Sequence, residues 1–222
     1  MPMPPAPRPL LLLTRPRPDS ERDAARLGHD ALISPVLRIV PVDHDGALLA
    51  QAHGLVFTSA HAVPSAGPGR GRPAICVGER TAQAARDAGF AVTVGQGTAD
   101  SLAPLIAACP VPLVHAHGRH LAQRLPVPGV VVYDQQPLAL TPVARAALMG
   151  ARPLVVPVWS PRSARLLSAM AAGARAPLRL VAISAAADAA WTAPAALRIV
   201  AETPSGPAMD AAIRRAMIAE PR

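Results

Sequence analysis

Short apolar runs alternate with amphipathic stretches along almost the whole chain. Leu10–Leu13 is four leucines stopped by Thr14-Arg15-Pro16, the pattern of a buried strand. Asp19–Leu27 follows as a helix, with acids in its first turn to complement the dipole and Gly28 to end it. The pair of patterns then repeats. Strands are predicted at Ala31–Val36, Leu37–Val42, Leu55–Phe57, Ala74–Val77, Phe90–Val94, Pro112–Ala116, Gly129–Leu138, Pro153–Trp159, Leu178–Ser184 and Ala196–Ala201. Helices are predicted at Gly46–Ala52, from Ala60 on, and at Glu79–Ala88, Ser101–Ala108, Gly118–Leu125, Pro142–Leu148, Ser163–Ala172, Ala185–Ala190 and Ala208–Ile218. Alternating strands and helices predict an α/β fold with parallel sheets. About ten strands exceed what one small sheet holds, so two α/β lobes are expected. No linker-like stretch separates them, which favours lobes joined by extended strands. Pro157 is a discord, because proline removes a ladder donor from a strand expected to be central.

Three strand ends run straight into hydroxyl-bearing helix starts. Gly54–Val63 reads GLVFTSAHAV, Ile75–Ala82 reads ICVGERTA and Val155–Ser163 reads VVPVWSPRS. In open parallel sheets ligands bind where strands end and helices begin, and helix N-termini offer N–H groups to anions. The glycine-rich stretch Gly67–Pro73 is a loop; it lacks the spacing and context of a dinucleotide fingerprint.

Composition narrows the classes. The chain has 222 residues, about half of them apolar, and its aromatic residues are Phe57, Phe90, Tyr133, Trp159 and Trp191. A base-stacking nucleic-acid platform needs more exposed aromatics than that. All 22 basic residues are arginine; against 14 acids they give a net charge of +8, dispersed without runs. This suits either a solvated basic surface or a polyanionic small-molecule partner, since arginine grips carboxylates in a fork. Cys76 and Cys109 fit no metal spacing, and Cys76 reads as a buried thiol in a reduced, cytoplasmic protein. Met1–Pro7 reads as a disordered tail, Leu10–Leu13 is too short for a signal segment, and no stretch reaches membrane-spanning length. His115, His117 and His120 lack nearby acids or cysteines to complete a metal site and read as ordinary loop histidines.

Taken in order, these stretches resemble the uroporphyrinogen-III synthase family. The resemblance rests on Leu12-Leu-Thr-Arg-Pro16, Ser34-Pro-Val-Leu37, Leu55–Val63, Val77–Ala82, Gly118, Val132-Tyr133, Ser160–Ser163, Ala182-Ile-Ser184 and Thr203-Pro204. It implies two flavodoxin-like parallel-sheet lobes joined by a two-stranded antiparallel linker. The crossings are expected at Leu37–Val42 and Val131–Leu138. Residues 1–36 plus 139–222 would form one discontinuous lobe, and 37–138 the other.

The resemblance also implies a reaction. The substrate, hydroxymethylbilane, is a linear tetrapyrrole carrying eight carboxylates, held in the cleft between lobes. The enzyme cyclises it with loss of water and inversion of the last ring, without metal or organic cofactor. Loss of the terminal hydroxyl gives an azafulvene cation. Attack by the distal ring through its substituted carbon gives a spiro intermediate, which fragments and recloses inverted. The protein must fix geometry and supply one proton donor. Tyr133, the single tyrosine, is the expected donor or positioning group, against a reading as an aromatic plug. Thr58, Ser59, Gly78, Thr81, Arg15, Gly118, Ser160 and Ser184 are the expected substrate contacts, the hydroxyls and the arginine with a bland alternative as a helix cap or surface group. Ala185-Ala-Ala-Asp188 stands where many relatives carry a threonine, so one hydroxyl is missing from that wall. The expected partners are the substrate and transient contact with hydroxymethylbilane synthase, for a monomer with no nucleic-acid or membrane partner. The competing class is a non-catalytic bilobed protein that binds an anionic small molecule. A nucleotide-binding regulator is disfavoured by the absence of a phosphate loop and of an acidic phosphoacceptor cluster.

Overall fold

The computed structural model describes residues 7–121 and 123–219. Its elements run β1 (Leu10–Leu13), α1 (Arg17–Leu27), β2 (Ala31–Ile33), β3 (Leu37–Pro41), α2 (Gly46–Gln51), β4 (Gly54–Phe57), β5 (Pro73–Cys76), α3 (Glu79–Asp87), β6 (Ala91–Val94), α4 (Ala103–Ala107), β7 (Leu113–Gly118), β8 (Gly129–Pro137), α5 (Pro142–Leu148), β9 (Leu154–Val158), α6 (Pro161–Met170), β10 (Leu178–Ala182), α7 (Ala185–Ala189), β11 (Leu197–Val200) and α8 (Gly206–Ile218). Two 3₁₀ segments, Ala60–Ala66 and Asp100–Leu102, complete the set. The expected tail at Met1–Pro7 lies, up to residue 6, outside the described residues.

The chain divides into two compact units. One combines the segment ending at Arg38 with the segment beginning at Pro137; the other is Ile39–Gln136. The first unit is a five-stranded sheet in the order β2-β1-β9-β10-β11, parallel throughout. In order of appearance that is second, first, third, fourth, fifth, the flavodoxin arrangement. Alternate strand residues feed two cores. Leu12, Val156 and Leu180 meet α5, α6 and α7, while Leu11, Val155 and Val181 meet α1 and α8.

The second unit has strands in the order β3-β8-β7-β4-β5-β6. Strands β8 to β6 are parallel, and β3 joins their edge. The Val42 N–H donates to the Val132 carbonyl, and the Leu138 N–H donates to that of Val36. The chain therefore enters and leaves this unit on antiparallel strands. In order of appearance its parallel strands run third, second, first, fourth, fifth, so that β4 lies between β5 and β7 with two parallel strands on each side.

Three predicted elements differ. The segment after Ser59 is 3₁₀ rather than α, and it contains Pro64, which cannot donate to an α-helical ladder. The helix expected at Gly118–Leu125 does not form among the described residues there. Gly118 ends β7, and the Arg119 N–H extends the ladder by donating to the Tyr133 carbonyl. Leu125 precedes Pro126, which also disfavours helix. The helix expected from Ser101 begins as a 3₁₀ turn and becomes α4 only at Ala103.

Pro157 does lie in a central strand. The Leu154 N–H points toward β10, donating to the Pro177 carbonyl, so alternation turns the Pro157 nitrogen toward β1. The β1–β9 register ends at Leu11↔Val155, before proline would break it.

Candidate active site

Open parallel sheets bind ligands outside the carboxyl ends of strands, where the strand order reverses. In the first unit that point lies between β1 and β9; in the second it lies between β4 and β7. Arg15 and Ser160 follow the strands of the first pair; Thr58, Ser59 and Gly118 belong to the second.

In the second unit, successive residues past β4 reach opposite faces of the sheet. Thr58 Oγ1 lies 2.9 Å from His115 Nε2 on β7. Ser59 turns the other way, toward Tyr133 on β8, whose pKa it lowers, and it also caps the 3₁₀ segment by accepting from the His61 N–H at 3.3 Å. The β7–β8 register slips between His117 and Gly118, a β-bulge that sets Gly118 opposite Tyr133. A Cβ on Gly118 would lie 2.5 Å from Cζ and 2.9 Å from the hydroxyl of that tyrosine. Glycine here is what lets the phenol lie flat against β7. His61 meets the tyrosine edge-on, with ring centroids 6.0 Å apart.

Tyr133 is 5 % exposed. Burial raises its pKa, and the neighbouring Ser59 side chain opposes that only in part. The phenol therefore keeps its proton at neutral pH and is available as a donor. His115 is pushed down to about 4, first by burial and then by neighbouring His117, so it is neutral at neutral pH. The two imidazoles are 4.7 Å apart, and His117 Nδ1 donates to the Gly118 carbonyl at 2.8 Å. Among the described residues no group of three or more His, Cys, Asp or Glu side chains could hold a metal. These histidines lie buried in β7, not in a loop.

The first unit treats its predicted contacts differently. The Arg15 guanidinium pairs with Asp23 at 3.1 Å and Asp19 at 3.6 Å, and lies 4.3 Å from the Trp159 ring centre. Ser160 caps α6, accepting from the Ser163 N–H at 3.1 Å, and Ser184 caps α7, accepting from the Ala187 N–H at 3.3 Å. Back in the second unit, α3 starts on Gly78, which has no side chain to cap it, and Thr81 is buried in its first turn. Cys76, also buried, has its thiol pushed up to about 12 by burial.

A family model described as Uroporphyrinogen-III synthase HemD matches residues 19–210. The chain belongs to that family. It is therefore a cyclising lyase of porphyrin biosynthesis, and its substrate is hydroxymethylbilane. A crystal structure of uroporphyrinogen-III synthetase from Helicobacter pylori is similar at a TM-score of 0.60 and 15 % identity, covering 91 % of this chain and 96 % of that one. A mutant uroporphyrinogen III synthase from Thermus thermophilus is similar at a TM-score of 0.50 and 17 % identity, covering 94 % and 98 %. At these identities the two structures support the fold. No curated protein matches the sequence. Among the described residues no helix is long and apolar enough to cross a membrane.

For this synthase-family chain, Thr58, Ser59, Gly118 and Tyr133 come together on one sheet edge. Gly78 and Thr81 sit at the end of β5 in the same unit, and Arg15, Ser160 and Ser184 belong to the other unit. Sequence reasoning set His115 and His117 aside as ordinary loop histidines and did not single out His61. The signal was the alternation His115-Ala116-His117 inside an apolar run, which puts both rings on one strand face.

Proposed function

We propose that the β4–β7–β8 edge of the second unit carries the proton chemistry of hydroxymethylbilane cyclisation, with Tyr133 as the group that meets the departing hydroxyl. The support is a buried, protonated phenol on β8, against the end of β7 and beside the β4–β7 switch point, in a uroporphyrinogen-III synthase family chain. A phenol donating into the terminal C–O bond lets water leave and forms the azafulvene cation. The substituted carbon of the distal ring then forms a C–C bond to it. The spiro intermediate breaks one C–C bond, recloses inverted and loses a proton, which restores the pyrrole. Thr58, Ser59, Gly78 and Thr81, with Arg15, Ser160 and Ser184 of the other unit, are proposed to receive carboxylate arms through hydroxyls, the guanidinium and nearby backbone N–H groups. Because the substrate closes spontaneously, transient contact with hydroxymethylbilane synthase belongs to this reading. So do a monomeric state and a cytoplasmic location.

The test is a coupled assay. Porphobilinogen is fed to hydroxymethylbilane synthase with and without this protein, and the oxidised type I and type III isomers are separated. The expected result is a shift to type III that Tyr133→Phe diminishes. Unchanged type III output from Tyr133→Phe would remove the tyrosine from the reaction.

A further inference from the structure

We infer that His115 and His117 are positioning residues for the cyclisation, holding Thr58 and Tyr133 in register from behind the sheet edge. The inference rests on the role proposed for Tyr133. The contacts form a closed circuit. Thr58 Oγ1 meets His115 Nε2 at 2.9 Å, and the His115 ring lies 4.7 Å from that of His117. His117 Nδ1 donates to the Gly118 carbonyl at 2.8 Å, at the bulge where β7 and β8 slip. The phenol of Tyr133 lies against the bare Cα of Gly118, and its hydroxyl returns to Ser59, next to Thr58 in sequence. Carbonyls only accept, so His117 carries its proton on Nδ1.

The circuit is built into the sheet. His115 is 2 % exposed and His117 is 8 % exposed. The facing strand is bare where His117 needs space: a Cβ on Gly129 would lie 2.6 Å from His117 Nε2. Buried imidazoles in an apolar strand cost desolvation, and apolar residues would fill the same volume without it. What the imidazoles add is direction. His115 fixes the Thr58 rotamer, and His117 fixes the carbonyl of the glycine beneath the tyrosine.

Amide side chains separate the roles of the two ring nitrogens. Asparagine places an N–H near the position of Nδ1, and glutamine near that of Nε2. The experiment compares His117→Asn with His117→Gln, and His115→Gln with His115→Leu, in the coupled assay. The readouts are kcat, KM and the ¹³Cζ resonance of labelled tyrosine, which is a single signal because Tyr133 is the only tyrosine. We expect His117→Asn and His115→Gln to stay within about threefold of the parent kcat, and His117→Gln and His115→Leu to lose roughly tenfold to a hundredfold. KM should move less than kcat, and the tyrosine signal should move in His117→Gln but not in His117→Asn. An unmoved signal in a folded His117→Gln protein overturns the inference, whatever the activity. A moved signal with unchanged kcat also overturns it. Tyr133→Phe is run alongside: full activity there defeats the assigned role of the tyrosine itself, which an unmoved signal in His117→Gln does not.

Discussion

The two units present the same kind of sheet edge and use it in different ways. In the first, each hydroxyl expected to touch substrate is engaged by its own helix, Ser160 by α6 and Ser184 by α7. Its arginine is engaged by two aspartates of α1. In the second, Thr58 and Ser59 reach sideways along the sheet to a histidine and a tyrosine. The difference follows from what comes after the strand. Ser160 precedes a ten-residue α-helix with proline at its start, which needs a cap. Ser59 precedes a proline-interrupted 3₁₀ segment, where it accepts from the N–H two residues on rather than three. A hydroxyl at a strand end is thus turned back onto its own helix where a true helix follows and along the sheet where one does not.

The largest break in this contrast should come from Gly118→Ala. The new methyl lands on a buried ring that cannot swing away without leaving Ser59. We expect about 1–3 kcal/mol of destabilisation in urea titrations and about 10²-fold lower type III formation. Next comes Tyr133→Phe, which removes one hydroxyl and keeps the ring. Stability should fall by about 1 kcal/mol, while type III output falls at least about tenfold.

A third effect is read in acid. The folded-state pKa of His115, about 4, lies below its ordinary value, so the unfolded chain binds the proton first as pH falls. Its contribution to stability is complete above about pH 6.5 and is lost as pH drops toward about 4. The urea midpoint of the parent should decline through that window, and His115→Gln should flatten the decline. The smallest effect sharpens the other side of the comparison. Ser160→Ala should cost about 1 kcal/mol through the lost cap, visible as a lower urea midpoint.

How far the sequence revealed this is clear element by element. Helix Pro142–Leu148 was legible to the residue, because Thr141 and Pro142 mark its start chemically. The alternation of strands and helices was legible for the same local reasons. What sequence could not supply were features fixed across strands. The bulge opposite Gly118 depends on how β7 and β8 align, and nothing near residue 118 encodes it. The same holds for the predicted helix at Gly118–Leu125, displaced when the Arg119 N–H found the Tyr133 carbonyl. Pro157 looked discordant because only the register shows that its partner ladder has already ended. Arg15 read as a clamp or a surface arginine because nothing in the sequence shows that Asp19, in the first turn of α1, and Asp23, one turn later, both point back at it.

The interrupted connectivity of the first unit bears on how the chain comes off the ribosome. Leu10 pairs with Leu154, so β1 must wait for the whole intervening segment before its sheet can close. Residues 39–136 meet no such delay, since their parallel strands are all made within that span. The unit in the middle should therefore be organised first, while the leucine-rich first strand is still exposed to chaperones or aggregation. Substitutions that slow that inner segment should lower soluble yield more than their effect on final stability would suggest.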